Sequence, residues 1–235
     1  MLVKVAVGNI GWEDAMDQIR QHIWKRKIKS SSMTRRESFR ALELSLKYLD
    51  ARRVSGDVCE FGTLFGDIPL HADYLFSRKH SRAQRRPISI FDSFAGLPSD
   101  ILKSENLAFN QGDLANSLEN YLRRLKKYGI GDGVKVFPGW FQETLVNCQP
   151  EKRIALAWID ADLYSSTRTV LSFLESQLVD QSLVIVDDYW ATKPSRGGPG
   201  LALEEWTSKA ADFTLSPWRS FHWAGEIFVF NKSET

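Results

Sequence analysis

The sequence predicts a doubly wound α/β domain: a seven-stranded, mostly parallel sheet with a C-terminal antiparallel hairpin and N-terminal helices. Three observations lead there. From Asp57 onward, short apolar runs alternate with helical stretches, the pattern of βαβ units. Several of these runs end abruptly in carboxylates or glycine. The last two are separated only by a short aromatic turn, as an antiparallel pair on a sheet edge is.

In chain order, residues 13–29 read as an amphipathic helix ending in the basic run Lys25-Arg26-Lys27-Ile28-Lys29, before the break at Ser30-Ser31-Ser32. Residues 34–50 form a second helix, with Thr34 as N-cap, Glu37 three residues on, and Phe39, Leu42, Leu46 and Leu49 on one face. Strands follow at 57–61, 88–92, 134–138, 154–160 and 182–188, with helices near 66–78, 116–128, 140–146 and 165–178 between them. A glycine-rich loop at 197–200 precedes a helix at 201–211, and strands at 213–218 and 226–231 close the series.

Bulk properties exclude several classes. The 235 residues, 43% hydrophobic and 26% charged, fit one globular core. With 31 Lys and Arg against 29 Asp and Glu, the net charge of +2 gives no field that selects nucleic acid or a membrane surface, so neither is an expected partner. No run reaches the roughly 18 apolar residues of a membrane span, and Trp12-Glu13-Asp14 stands where a signal cleavage site is needed, so a cytoplasmic location is expected. Cys59 and Cys148 are too few for a disulfide scaffold and read as structural thiols.

Other features receive plain readings. Arg78, Lys79, His80, Arg82, Arg85 and Arg86 read as a solvated turn, since no aromatic platform is interleaved. His22, His71, His80 and His222 lack metal-ligand spacing, and packing or exposure is expected even of His222, between Phe221 and Trp223. Arg168 is expected to form a local ion pair, and Glu204 and Glu205 to be exposed. Of eight tryptophans, Trp12, Trp140, Trp190, Trp218 and Trp223 fall in loops or element ends, where packing explains most.

In open α/β sheets the ligand binds outside the carboxyl ends of the strands, near the topological switch point, so the strand-closing residues carry the chemistry. The first strand ends in Glu60-Phe61-Gly62-Thr63-Leu64-Phe65-Gly66, where glycines let the backbone approach a ligand beside a helix N-terminus. A turn shaped only by packing has the same composition. The second strand ends in Asp92, placed to accept hydrogen bonds from the two hydroxyls of a ribose. The fourth and fifth deliver Asp160-Ala161-Asp162 and Asp187-Asp188. Four converging carboxylates repel unless a cation compensates them, and oxygen ligands without His or Cys select Mg²⁺ or a similar ion. Helix N-capping by Asp162 and Asp188 is the competing reading.

The strings FDSFAGLP (91–98), QGD (111–113), PGWFQETL (138–145), IDADLYSST (159–167) and IVDDY (185–189) resemble, in order and spacing, the macrocin O-methyltransferase family, which contains antibiotic-sugar methyltransferases. The likeness covers roughly residues 50–210. It implies a Rossmann-like class I methyltransferase fold and an S-adenosyl-L-methionine-dependent, Mg²⁺-dependent O-methyltransferase. Glu60, Phe61, Gly62, Thr63 and Gly66 would then form the cofactor loop, and Asp92 with Ser93 would hold its ribose. Gln111, Gly112 and Asp113 would lie near the adenine, with Trp140 closing over the nucleoside. Asp160, Asp187 and Asp188 would hold Mg²⁺. Asp160 would also touch the cofactor and take the acceptor proton, with Asp162 the alternative base. Ala161 and Ser165 depart from the commoner DGDLYEST.

On this reading residues 1–50 are a helical substrate or dimer region and 51–235 the methyltransferase domain, with a homodimer expected. The cation would orient two adjacent acceptor oxygens and lower a hydroxyl pKa, which makes a vicinal diol the natural small-molecule acceptor. A sugar of a natural product or polysaccharide fits, as does a catechol. A nicotinamide-dependent dehydrogenase is the first rival, because Tyr189 and Lys193 match a Tyr-x-x-x-Lys spacing; Pro194 and the absence of GxGxxG oppose it. A non-catalytic module that keeps the cofactor fold is the second.

Overall fold

A computed structural model describes residues 31–77, 84–98, 110–130, 133–146, 148, 153–192 and 197–233. The helix expected at 13–29, most of the basic stretch from Arg78, and Lys193 with Pro194 lie outside these residues.

The elements are α1 (Met33–Ala51), β1 (Asp57–Phe61), α2 (Asp67–Ser77), β2 (Ile88–Asp92), α3 (Leu118–Lys127), β3 (Val134–Pro138), α4 (Phe141–Thr144), β4 (Ile154–Ile159), α5 (Tyr164–Gln177), β5 (Leu178–Val186), α6 (Gly198–Ser208), β6 (Phe213–Phe221) and β7 (Gly225–Lys232). The seven strands form one sheet in the order β3-β2-β1-β4-β5-β7-β6. Strands β1 to β5 pair in parallel, and β7 runs antiparallel to both β5 and β6. The order reverses between β1 and β4, so the ligand crevice opens above their carboxyl ends.

Strand alternation explains why both faces are covered. Val58, Leu156, Trp158, Ile185 and Ile227 face one core with Leu42, Leu46 and Leu49 of α1, Leu75 of α2 and Tyr121 of α3. Cys59, Phe61, Ala157, Ile159, Val184 and Phe228 face the other, with Val170 and Leu174 of α5 and Leu203 of α6. Cys59 and Cys148 are free and buried. Helix α1 is therefore part of the first core. No helix among the described residues is long and apolar enough to cross a membrane.

Four sequence expectations are corrected. The cap of α1 is Ser32, whose hydroxyl accepts the Arg35 N–H, so the helix starts before Thr34. Helix α6 starts at Gly198 because Pro199 is tolerated in a first helical turn. Strand β5 starts at Leu178, directly after α5, and a register irregularity opposite Ile154/Leu156 absorbs the polar Asp180-Gln181 break. Arg86 is not solvated. Its guanidinium is buried and donates to the Val54 carbonyl at 2.7 Å, the Gly56 carbonyl at 3.0 Å and Asp50 Oδ1 at 3.1 Å. Arg85, beside it, is exposed and pairs with Asp73.

Arg86 thus ties the α1–β1 connection to the start of β2. Replacing it by Leu leaves a half-buried carboxylate without its cation and two carbonyls without a donor, and urea denaturation should show a loss of about 3 kcal/mol in unfolding free energy.

Candidate active site

A cavity of about 690 Å³ opens at the switch point. Its lining includes Gly62, Thr63, Asp92, Ser93, Gln111, Gly112, Trp140, Asp160 and Asp162. Backbone bonds that run one residue past the strands hold the key positions: Gly62 N–H donates to Phe91, Asp160 N–H to Phe61, and Asp187 N–H to Ile159, at 2.8–2.9 Å. The polar residues are therefore fixed as extensions of the sheet.

Gly62 has φ +84, and a Cβ there would lie 1.9 Å from the Asp160 carbonyl oxygen, so the β1 turn and the end of β4 touch through backbone alone. Asn116 donates to the Leu64 carbonyl at 2.6 Å, and Arg124 binds the Phe65 carbonyl and Asp67, fastening the glycine turn to α3. Asp67 also pairs with Arg35 at 2.8 Å.

Asp92 accepts the Thr63 N–H at Oδ2 (2.8 Å) and the Phe94 N–H at Oδ1 (2.6 Å). Each oxygen keeps a second lone pair for a ligand hydroxyl. Ser93 lines the cavity, but its hydroxyl donates to the Gly96 carbonyl and accepts from Ala95, so its side chain serves its own turn. The 93–98 loop is clipped to 110–114 by Leu97 N–H to Asp113 and Gly112 N–H to Leu97.

Four expected cofactor residues do not line the cavity. Phe61 is core, stacked on Phe91 at 5.1 Å. Glu60 is buried beneath the turn and accepts the Thr63 hydroxyl at 2.6 Å; burial, then the Asp92, Asp67 and Asp187 charges, push its carboxyl well above the usual range. Gly66 sits against the Tyr121 ring, and Asp113 accepts the Asn110 N–H of its own loop.

One oxygen each from Asp160, Asp187 and Asp188 lie within 4.8 Å of one another. No lysine or arginine among the described residues pairs with these three or with Asp162; the side chain that reaches them is His222, whose Nε2 lies 3.4 Å from Asp187 Oδ1. Burial and the Asp187, Asp162 and Asp188 charges push Asp160 well above the carboxylate range. Burial, followed by the neighbouring Asp188, pushes Asp162 up to about 7, and Asp162 donates a hydrogen bond to Asp188. The set holds oxygens close together at a cost that a hard cation relieves, so it fits Mg²⁺. The capping alternative fails for Asp162: α5 begins after Leu163 without a side-chain cap.

Of the seven non-glycine residues with positive φ among those described, Leu64, Leu114 and Asp162 line the cavity, Phe94 follows Asp92, and His222 abuts Asp187. Such backbone clusters where surrounding structure holds a site in place. Elsewhere, Arg168 lies over the Tyr164 ring, and the expected ion pair is not found among the described residues. Glu205 accepts the Tyr164 hydroxyl at 2.6 Å and so is not free surface. Tyr189 follows β5 in a turn, which removes the helical Tyr-x-x-x-Lys reading.

The macrocin-O-methyltransferase (TylF) family model matches residues 11–200. The chain belongs to the macrocin O-methyltransferase family. Proteins similar to it include the 8-demethyl-8-(2,3-dimethoxy-alpha-L-rhamnosyl)-tetracenomycin-C 4'-O-methyltransferase of Streptomyces olivaceus, 32% identical over 155 residues, 63% of this chain and 58% of that protein. The mycinamicin III 3''-O-methyltransferase of Micromonospora griseorubida is 32% identical over 145 residues, 58% of this chain and 56% of that one. The chain thus matches less than three fifths of the length of these relatives. The O-methyltransferase NovP shares the fold, with a TM-score of 0.68, 24% identity, and coverage of 82% of this chain and 79% of its own.

Asp162, raised from 3.8 to about 7, holds a proton in the folded protein that the unfolded chain releases near pH 4. Its stabilising contribution is complete below about pH 4 and is lost as pH rises through about 7. In chelator, Asp162→Asn keeps the neutral donor to Asp188 and should melt about 3 °C above the parent at pH 8.5, with the gap closing towards pH 4.

Proposed function

We propose that this chain is an S-adenosyl-L-methionine-dependent, Mg²⁺-dependent O-methyltransferase that acts on one hydroxyl of a vicinal diol on a sugar. One observation carries this reading: Asp160 belongs both to the nucleoside-sized cavity and to the cation-fitting carboxylate cluster. A donor in the cavity and an acceptor on the cluster would meet at its side chain. The sugar acceptor is supported by the rhamnosyl substrate in the name of the tetracenomycin relative.

The parts divide the work. Asp92, pinned by two backbone amides, receives the ribose hydroxyls, and Gln111 with Gly112 borders the base. Trp140, Phe141, Leu97 and Leu114 give the cavity apolar walls that exclude water from the sulfonium. The donor arrives with its methyl group already activated, so the protein has to align and deprotonate the acceptor. Asp160, Asp187 and Asp188 would hold Mg²⁺, which would supply Lewis-acid character that lowers the acceptor hydroxyl pKa. Asp160, where the cavity and the carboxylate cluster meet, accepts the hydroxyl proton as the oxygen attacks in line with the methyl–sulfur bond.

Calorimetry with S-adenosylhomocysteine is the direct test. Micromolar binding should weaken at least tenfold in Asp92→Ala, because charge-assisted hydrogen bonds are worth about 1.5–3 kcal/mol. Absence of binding to the folded parent would refute the cofactor. Asp160→Asn should bind the product normally yet turn over a diol sugar at least about 100-fold more slowly. An active, folded Asn variant would refute the base.

A further inference from the structure

His222 lies where the β6–β7 turn meets the end of β5. Because β7 pairs antiparallel with β5, with Val186 opposite Glu226, the turn at 222–224 is brought beside Asp187 and Asp188. A second backbone bond, Trp190 N–H to the Ala224 carbonyl at 2.8 Å, ties it to the segment carrying those carboxylates.

The ring is fixed on every side. Nδ1 accepts the Ala224 and Gly225 N–H groups at 3.0 and 3.2 Å, so that nitrogen carries no proton. The ring proton is then on Nε2, which faces Asp187 Oδ1 at 3.4 Å, at the long end of the hydrogen-bond range. The imidazole packs edge-on against Phe221 at 4.4 Å, and Phe221 packs on Trp158 of the core. Its side chain is 3% exposed, which keeps it from the acceptor. The residue also adopts φ +37, a conformation in which Gly or Asn is the easier choice. A turn that needed only its amides satisfied would be served at lower strain by Asn.

We propose that His222 is a positioning residue for the cation site: it donates from Nε2 to Asp187 and holds that carboxylate in the orientation that faces Asp160 and Asp188. This rests on the reading of the cluster as a cation site. Carboxylates that ligate metals are themselves commonly hydrogen-bonded by a second group, whose removal weakens affinity ten- to a hundredfold. Here a turn between the last two strands supplies it.

Two substitutions separate the two ends of the ring. His222→Asn places an amide oxygen near the Nδ1 position and suits positive φ, so it keeps the turn but cannot reach Asp187. His222→Gln places an amide N–H near the Nε2 position and gives up the turn acceptor. Free Mn²⁺ would be followed by electron paramagnetic resonance in titrations of the full chain, with Asp188→Asn as the site control. Melting temperature and S-adenosylhomocysteine affinity would be measured in parallel. His222→Asn should lower Mn²⁺ affinity at least about tenfold, with melting temperature and S-adenosylhomocysteine affinity unchanged. His222→Gln should melt lower yet stay within about threefold of the parent in Mn²⁺ affinity. Parent-like Mn²⁺ binding in the Asn variant, or equal weakening in both, overturns the assignment and leaves His222 to the turn alone. A parent chain whose Mn²⁺ binding is absent or survives Asp188→Asn overturns the cation site itself, and this inference with it.

Discussion

The mutual repulsion of carboxylates at the ends of two adjacent strands is the constraint around which the rest of the site is organised. The sheet places Asp160 and Asp187 next to each other through backbone bonds that continue its ladder, so the chain cannot relieve the repulsion by letting them drift apart. Without a cation the relief available is protonation, and the raised Asp160, Asp162 and Asp188 carboxyls record it. Electrostatic strain of this kind is stable only where packing over-determines the geometry. The two apolar cores on either side of β4 and β5, both strands fully buried from Leu183 and Ile154 onward, supply that rigidity.

The donor side follows a different logic. There most polar groups are satisfied by backbone: Asp92 by two amides and Ser93 within its own turn, with Glu60 held by the Thr63 hydroxyl. A site finished by main-chain donors is indifferent to substitution at the neighbouring side chains. This accounts for a cavity whose outline is set by a few glycines and left-handed residues.

Much of this was legible in the sequence, and the reason is burial. The strands at 57–61, 88–92 and 134–138 coincide with the observed elements, because their ends are marked by glycine, aspartate or proline. Asp92, Asp160, Asp187 and Asp188 could be found by asking which residue closes each strand. Partnerships over long sequence separations were not legible. Arg86 reads as one more charge in a basic stretch until the Val54 and Gly56 carbonyls are seen to accept its hydrogen bonds. His222 has no spacing signal at all, since its partner Asp187 is reached only by antiparallel pairing of β7 with β5. Glu60 and Phe61 flank the glycine turn in sequence, yet Phe61 points into one core and Glu60 lies sealed beneath the turn. Local pattern locates the turn without saying which of its residues face the ligand.

The contact between Gly62 and the Asp160 carbonyl joins the two halves of the site with no side chain between them. Any displacement of the donor loop is transmitted to the carboxylate cluster without slack, so the two halves behave as a single rigid part. A substitution that shifts the glycine turn therefore moves Asp160 with it, and neither half can be adjusted alone.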